Sequence, residues 1–201
     1  MFAMKHVHSL LHVLADREPE VAAHCHRVMV HALALGSELQ LDEEEMKVLG
    51  VSALLHDTGK LLIPPAILHK EEKLTAEEWE WIKEHAQFGE AIVLAAGLDP
   101  QVAAVIRHHH ERWDGKGYPD GLAGSKTPLL ARLLAVADAY DAMTTARPYQ
   151  EARSAPDALA ELQRCRETHF DPGMVDCFVK LHTERYTYRC TSPRVPFPRF
   201  G

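Results

Sequence analysis

The sequence predicts an all-α protein, a compact helical bundle formed by a single domain. Three observations support this prediction. Apolar residues recur at helical spacing over most of the 201 residues, aromatic residues make up only 7%, and strand-like runs of Val, Ile, Thr and Tyr are nearly absent. A chain of this length with 46% hydrophobic residues can bury one well-formed core, so one domain is the default expectation.

The periodic segments predict the helices in chain order. They cover residues 2–16, 19–40, 43–56, 76–96, 100–109, 128–145, 155–168 and 172–185. Capping signals support several of the ends. Asp42 and Thr75 precede acidic first turns and are expected N-caps. Gly97 follows its helix, and Pro172 suits the first position of the last helix.

Three segments are predicted to be irregular. Residues 111–127 contain several glycines and a proline, which exclude a continuous helix and favour a structured loop. Residues 59–70 form a second irregular connection because Pro64 and Pro65 block a helix there. Residues 186–201, with three prolines and three arginines, lack helical periodicity. The chain therefore divides into a domain at 1–185 and an irregular C-terminal tail at 186–201.

Charge and apolar patterning exclude several classes of partner. The formal net charge is -7, so the surface repels duplex nucleic acid, and a small anionic ligand would need a local positive centre such as a bound metal. No apolar run approaches the ~20 residues of a membrane span. Cys25, Cys165, Cys177 and Cys190 form no Cys-x-x-Cys pair and are expected to be reduced structural thiols. We expect a soluble cytoplasmic protein without a membrane partner.

The 14 histidines are the unusual feature of the composition, and helical projection sorts them. His109 and His110 extend the apolar face of the 100–109 helix, whereas His108 falls on its flank. A single core histidine is more often satisfied by one hydrogen bond than by a metal. Two adjacent histidines where a helix enters a glycine-rich loop favour the metal-ligand interpretation.

Two other helices carry candidate carboxylates. On the 128–145 helix, Asp141 lies within the buried arc and Asp138 at its edge, and a buried carboxylate is costly unless it is paired or binds a metal. Glu20 and His24 are spaced i, i+4 on the 19–40 helix. A stripe of that kind is more often a solvated polar face than a set of ligands.

An adjacent His56-Asp57 pair ends an apolar helix, and Gly59 breaks the helix after it. With His85 on a further helix, histidines and carboxylates from five segments can converge inside a bundle, where metal sites are built. The pattern favours two transition metals such as iron or manganese, with zinc less favoured because no cysteine is placed to help. Spacing alone leaves hydrolysis of a phosphoester and activation of oxygen both open.

Three motifs resemble the HD-GYP family of the HD hydrolase superfamily. They are HDTGK beginning at His56, HHERWDGKGYP beginning at His109, and ARLLAVADAYDAMTTARPY beginning at Ala131. The resemblance runs over residues 20–180 and implies an HD-type helical bundle with a glycine-rich GYP loop. The long GYP motif is highly specific, whereas a lone His-Asp pair would be a weak signal.

The resemblance implies a site for two or three divalent ions, iron or manganese being expected. Asp57 would bridge two ions, and Glu20 matches a glutamate that some members use for a third. The implied metal ligands are Glu20, His24, His56, Asp57, His85, His109, His110 and Asp138. The implied catalytic residues are Asp57 and Lys60, and the implied substrate-binding residues are Lys60, Tyr118 and Arg147.

The activity that the resemblance implies is hydrolysis of cyclic di-GMP to linear pGpG, and onward to GMP, by attack of a hydroxide that bridges the metals. Asp141 is expected to orient a ligand. The chain departs from the family pattern at Gln150, where relatives often carry a basic residue, and at Thr127, which replaces an isoleucine. A catalytically weak nucleotide-binding signalling module and a diiron oxygenase remain alternatives. The candidate protein partners are a second copy of the chain and a signalling protein.

Overall fold

The computed structural model describes residues 4–146 and 151–191, and within these ranges the chain is helical and contains no β-strand. The α-helices are α1 (Met4–Arg17), α2 (Pro19–Glu38), α3 (Glu43–Leu55), α4 (Pro65–Leu68), α5 (Ala76–Lys83), α6 (His85–Ala95), α7 (Pro100–His108), α8 (Leu129–Thr144), α9 (Ala155–Arg164) and α10 (Pro172–Thr191). Short 3-10 helices cover Thr58–Leu62 and Gly124–Lys126. The all-α prediction is confirmed. No described helix is long and apolar enough to cross a membrane.

One apolar core lies between α2, α3, α7 and α8. Helix α2 packs along α3 and α8, and α7 packs against α3, α6 and α8. The fully buried side chains of this core include Leu35, Leu49, Ile106, Leu133 and Phe178. Burying a side chain of this size contributes about 1.5–3 kcal/mol, so the apolar faces hold the helices in this order. The packing also brings the C-terminal ends of α3 and α7 and the first turn of α6 together.

The predicted helix caps are confirmed. The Asp42 carboxylate accepts a hydrogen bond from the Glu45 amide, and the Glu45 carboxylate accepts one from the Asp42 amide. Thr75 and Glu78 form the same reciprocal pair at the start of α5. Each pair satisfies two amides that a helix start leaves without a partner. Gly97 follows α6 with a φ of 71°, a conformation that favours glycine.

The single helix predicted over residues 76–96 is wrong, because the structure divides it at Glu84 into α5 and α6. The Glu84 amide is shared between the carbonyl oxygens of Glu80 and Trp81, at 3.3 and 3.2 Å, which tightens the turn. Apolar periodicity does not detect an interruption of one residue.

The irregular connection predicted over residues 59–70 is also wrong in part. A 3-10 helix at Thr58–Leu62 and the one-turn α4 occupy most of it. Pro65 starts α4, where the missing amide is no loss because a first-turn amide has no helical partner. The tail prediction fails over its first residues as well, since α10 continues to Thr191. The first proline beyond residue 185 is Pro193, so no helix breaker stands before that point.

Candidate metal centre

Three groups of potential metal ligands occur among the described residues, and two of them share His56. In each group the ligand atoms lie within 4.8 Å of one another. The groups are His24, His56 and Asp138; His85, His109 and His110; and Cys25, His56 and Asp57. Every histidine and aspartate that the sequence predicts as a ligand therefore lies in one of these groups, whereas Glu20 lies in none of them.

Asp57 lies between the first two groups. Its carboxylate is 2% exposed, with Oδ2 at 3.5 Å from His56 Nε2 and 3.8 Å from His24 Nε2. The other oxygen, Oδ1, lies 3.6 Å from His85 Nε2. Each oxygen of one carboxylate thus faces a different group of histidines. This is the arrangement expected of a residue that bridges two cations.

Gly59 allows the Asp57 segment to approach His85. A Cβ atom on Gly59 would lie 1.9 Å from the His85 carbonyl oxygen and 2.6 Å from the Gly89 amide nitrogen, both main-chain atoms. Only glycine permits the 3-10 helix to touch the first turn of α6 so closely. The helix break at this residue, which the sequence indicates, therefore also sets the distance between the two groups of ligands.

Main-chain carbonyl oxygens orient three of the histidines. The Nδ1 atom of His56 lies 2.8 Å from the Ala53 oxygen. The same atom of His85 lies 2.5 Å from the Ile82 oxygen, and that of His109 lies 2.6 Å from the Ile106 oxygen. A carbonyl oxygen only accepts hydrogen bonds, so we assign the proton to Nδ1 in each ring. The assignment leaves the lone pair of Nε2 facing the centre, as metal ligation requires.

Side chains, in contrast, hold His24. Its Nδ1 lies 2.7 Å from Asp141 Oδ2, and its Nε2 lies 3.0 Å from Asp138 Oδ1. Arg27 donates two hydrogen bonds to the Asp141 carboxylate, at 2.8 and 3.0 Å. Asp141 therefore stands behind His24 and orients it, in agreement with its predicted role.

The centre differs in charge between the side of His24 and the side of His110. Burial opposes protonation of His24, but the adjacent Asp138 and Asp141 outweigh it and raise its pKa to about 9. Burial and the neighbouring His85 lower the pKa of His110 to about 3. Burial also opposes ionisation of Asp57, yet Lys60 and the surrounding histidines hold its pKa well below the usual range. The centre thus offers ionised carboxylates on one side and neutral imidazoles on the other.

Two of the predicted phosphate-binding residues border the centre. Lys60 Nζ donates a hydrogen bond to Asp57 Oδ2 at 2.7 Å. The Tyr118 ring lies 4.9 Å from the His110 ring, measured between centroids, and Lys83 Nζ lies 6.0 Å from the Tyr118 centroid. Burial raises the pKa of the Tyr118 phenol, so the hydroxyl is a neutral hydrogen-bond donor. Arg147 and Gln150 lie outside the described residues.

Residues 111–127 are irregular apart from the 3-10 turn at Gly124–Lys126. The buried Glu111 carboxylate ties this segment together, accepting hydrogen bonds from the Asp120 and Leu122 amides at 2.7 and 2.9 Å. A Cβ atom on Gly117 would lie 2.4 Å from the Arg112 amide nitrogen, so a glycine is required there. The close return of the chain places Tyr118 beside His110.

Other sequence predictions have mixed outcomes. Glu20 is exposed on the first turn of α2 and belongs to none of the three ligand groups. His108 faces away from the centre and binds Asp120 at 2.9 Å, as its position on the helix flank predicts. The statement that no cysteine is placed near the ligands is wrong, because Cys25 lies beside His56 and Asp57. The sequence places Cys25 directly after His24, which indicated that it lies near the ligands. Helical projection alone, however, directs Cys25 away from the face of α2 that carries His24.

These features define a helical domain with a candidate metal centre of histidines and carboxylates. Residues 8–174 match the family described as HD domain. The chain belongs to the HD domain family.

Relatives of the chain are named as phosphodiesterases of cyclic dinucleotides. The chain is 41% identical over 173 residues to the cyclic di-GMP phosphodiesterase response regulator RpfG of Xanthomonas campestris, covering 85% of this chain and 46% of the relative. It is 32% identical over 189 residues to the 3'3'-cGAMP-specific phosphodiesterase 2 of Vibrio cholerae, covering 93% of this chain and 36% of that protein. The chain thus spans less than half the length of either relative.

Solved structures share the fold. The HDG"Y"P protein Bd1817 from Bdellovibrio bacteriovorus superposes with a TM-score of 0.67 at 22% identity, over 81% of this chain and 52% of that one. The HD domain of the L. monocytogenes phosphodiesterase PgpH superposes with a TM-score of 0.63 at 15% identity, over 90% of this chain and 99% of that one. The HD-type helical bundle that the motifs imply is therefore confirmed.

Proposed function

We propose that this chain is a metal-dependent phosphodiesterase that hydrolyses cyclic di-GMP to pGpG and onward to GMP. The observation that carries the proposal is the buried Asp57 carboxylate, whose two oxygens face two separate groups of histidines. Relatives named as cyclic di-GMP phosphodiesterases support the substrate class. Three relatives are named as specific for 3'3'-cGAMP, which makes that dinucleotide the second substrate to test.

The residues of the centre fit divalent transition metals. His56 Nε2 is buried without a hydrogen-bond partner among the described residues, and such an atom is costly unless it has a ligand. His24, His56 and Asp138 would hold one ion, and His85, His109 and His110 the other, with Asp57 shared. Nitrogen and oxygen donors in these numbers suit iron or manganese. Bound divalent ions in hydrolases supply activation of water at neutral pH and neutralisation of phosphate charge.

Lys60 and Tyr118 would bind and orient the phosphodiester. The Lys60 ammonium group is partly exposed and lies against Asp57, so an entering phosphate can take up one of its other N–H bonds. The neutral Tyr118 hydroxyl can donate to a second phosphate oxygen. Arg147, which the resemblance assigns the same task, would add a fixed positive charge.

The role of Tyr118 can be tested separately from metal binding. Tyr118→Phe should lower the turnover number by the equivalent of about 2–4 kcal/mol, because one preorganised donor to the reacting phosphate is lost. Its metal content, measured by atomic emission on the same preparation, should equal that of the wild type. A variant with full turnover, or one that loses metal, would exclude the proposed contact with phosphate.

A third ion is proposed at Glu20. Glu20 stands one helical turn before His24 on α2, so the two side chains can approach one cation from the same face. A carboxylate oxygen suits iron or manganese. The exposed position of Glu20 makes this the outermost ion of the three.

The proposed function is tested by metal and product analysis on one preparation. Protein purified without chelators should contain at least two equivalents of iron or manganese. It should convert cyclic di-GMP to pGpG, with GMP appearing later, and chelation should abolish the conversion. Cyclic di-GMP, 3'3'-cGAMP and cyclic di-AMP should be compared in parallel. Metal-loaded protein that cleaves none of the three would contradict the proposal.

We also propose that the protein acts in the cytoplasm. The free thiols of Cys25, Cys165 and Cys177 support this location, because the cytoplasm keeps thiols reduced.

A further inference from the structure

A small apolar cluster meets the candidate metal centre at Cys25. This residue follows His24 on α2 and is completely buried. Leu14 and Ala22 are buried with it, and Val21 and Leu61 pack against them from α2 and the 3-10 helix. On this side the thiol has only hydrocarbon neighbours, so packing accounts for a small side chain here but not for sulfur.

The other side of Cys25 faces the centre. Its Sγ atom forms a group with His56 and Asp57 in which all ligand atoms lie within 4.8 Å of one another. The unpartnered nitrogen of His56 points to the same place. His56 is 1% exposed, and its Nε2 has no hydrogen-bond partner among the described residues. A buried thiol and an unsatisfied imidazole nitrogen therefore adjoin the same carboxylate.

We propose that Cys25 is a thiolate ligand for a soft or borderline divalent ion, such as zinc or cobalt, held together with His56 and Asp57. The proposal rests on the metal centre of the proposed function and adds a sulfur donor to it. On binding, the S–H bond breaks, the proton passes to solvent, and the sulfur electron pair forms the bond to the ion. No electron is transferred, so no oxidant or reductant is needed.

Metal ligation deprotonates a coordinating thiol outright, so Cys25 would bind an ion as the thiolate. The sulfur also gives the centre a basis for selecting among metals, because thiolate favours zinc and related ions, whereas manganese prefers oxygen donors.

The proposal predicts a change in metal preference. Cys25→Ser should lower the affinity for zinc at least about tenfold. Loss of a residue that only orients a metal ligand weakens binding about 10- to 100-fold, and loss of the ligand itself should weaken it no less. The affinity for manganese should change much less. Competition between the two ions, followed by metal analysis of the dialysed protein, measures the ratio directly. An unchanged ratio would contradict the role of Cys25.

A spectroscopic test identifies the sulfur bond without a substrate. The starting protein is the Cys165→Ser, Cys177→Ser, Cys190→Ser variant, which retains Cys25 as its single cysteine. Titration with Co²⁺ should produce a sulfur-to-cobalt charge-transfer band in the near ultraviolet. Adding Cys25→Ser should remove that band while the d–d bands of bound cobalt remain. Bound cobalt with no charge-transfer band in the single-cysteine protein would overturn the proposal.

Two further comparisons keep the test decisive. If the single-cysteine variant does not fold, the same titration of the wild type against Cys25→Ser gives the answer from the difference spectrum. Both proteins should also be assayed with cyclic di-GMP in the presence of manganese. Hydrolysis without a charge-transfer band would overturn the assignment of Cys25 and leave the proposed function standing. A charge-transfer band in a protein that cleaves no cyclic dinucleotide would support the assignment of Cys25 and contradict the proposed function.

Discussion

His85 and His109 differ from His24 in how the protein orients them. In His85 and His109, Nδ1 contacts a main-chain carbonyl oxygen, whereas in His24 it contacts the carboxylate of Asp141, which Arg27 holds in turn. The first arrangement is fixed by the ends of helices, and the second by a chain of charged side chains. The orientation of His85 and His109 therefore depends on the fold alone, whereas that of His24 can be tuned by single substitutions.

The electrostatics follow the same division. Burial and neighbouring imidazoles lower the pKa of His109 well below its usual value, so this ring is neutral before any ion binds. Burial opposes the charge on His24 too, but Asp138 and Asp141 outweigh it and raise that pKa to about 9. An ion on the His24 side must therefore displace a proton, whereas an ion on the other side meets neutral ligands.

The largest effect is expected where the two sides meet. Asp57→Ala should abolish hydrolysis and lower the metal content, because no neighbouring carboxylate can replace one that faces both groups. The lost charge stabilisation of the reaction is worth several kcal/mol.

His108→Ala is the control for Asp57→Ala, since His108 lies on the adjoining helix end and contacts Asp120 instead of the centre. It should keep its metal and nearly all of its activity. Equal metal content and turnover in the two variants would refute the assignment of Asp57.

A smaller effect is expected from the side-chain network behind His24. Asp141→Asn keeps the shape but removes the negative charge that makes His24 a better donor, so the metal affinity should fall about 10- to 100-fold. Asp99→Asn is the matched control, because Asp99 caps α7 and asparagine caps a helix equally well. Competitive metal titration of both variants measures the difference. If Asp141→Asn binds metal as the control does, side-chain orientation of His24 is unimportant.

The fold-dependent side can be disturbed through a glycine. Gly59→Ala should destabilise the protein by about 1–3 kcal/mol, because the new methyl group would overlap the His85 main chain and force the two segments apart.

Gly50→Ala provides the comparison, because its methyl group would meet only Leu33 side-chain atoms at 3.5 Å or more. Within helix α3 it should be neutral or stabilise by about 0.5–1 kcal/mol. Urea unfolding of both variants, with metal content recorded, tests the pair. A Gly59→Ala protein as stable as Gly50→Ala would show that the close approach is not needed.

The smallest effect concerns the outermost ion. Glu20→Ala should reduce the metal content by about one equivalent and slow hydrolysis, while sparing the ions at Asp57. If Glu20 only favours the start of α2, the change should be limited to about 0.3–1 kcal/mol of stability. Metal analysis and thermal unfolding together separate the two outcomes. Unchanged metal content would remove Glu20 from the ligand set.

Much of this molecule was predictable from sequence because its information is local. Helix caps at Asp42 and Thr75 and the inward positions of His109 and Asp141 follow from short-range patterns, and the structure agrees with them. The break at Glu84 and the helical turn at Pro65 did not follow, since each depends on hydrogen bonds within a single turn. Cys25 was missed for another reason. Its approach to His56 and Asp57 joins two segments far apart in sequence, which only packing brings together.

The most direct measurement is an anomalous-scattering map of crystals of the manganese-loaded protein. The centre should show one peak against His24, His56 and Asp138 and a second against His85, His109 and His110, with an Asp57 oxygen beside each. Two such peaks would establish that one buried carboxylate joins the two groups of ligands. A single peak, or peaks that leave Asp57 without contact, would contradict the account.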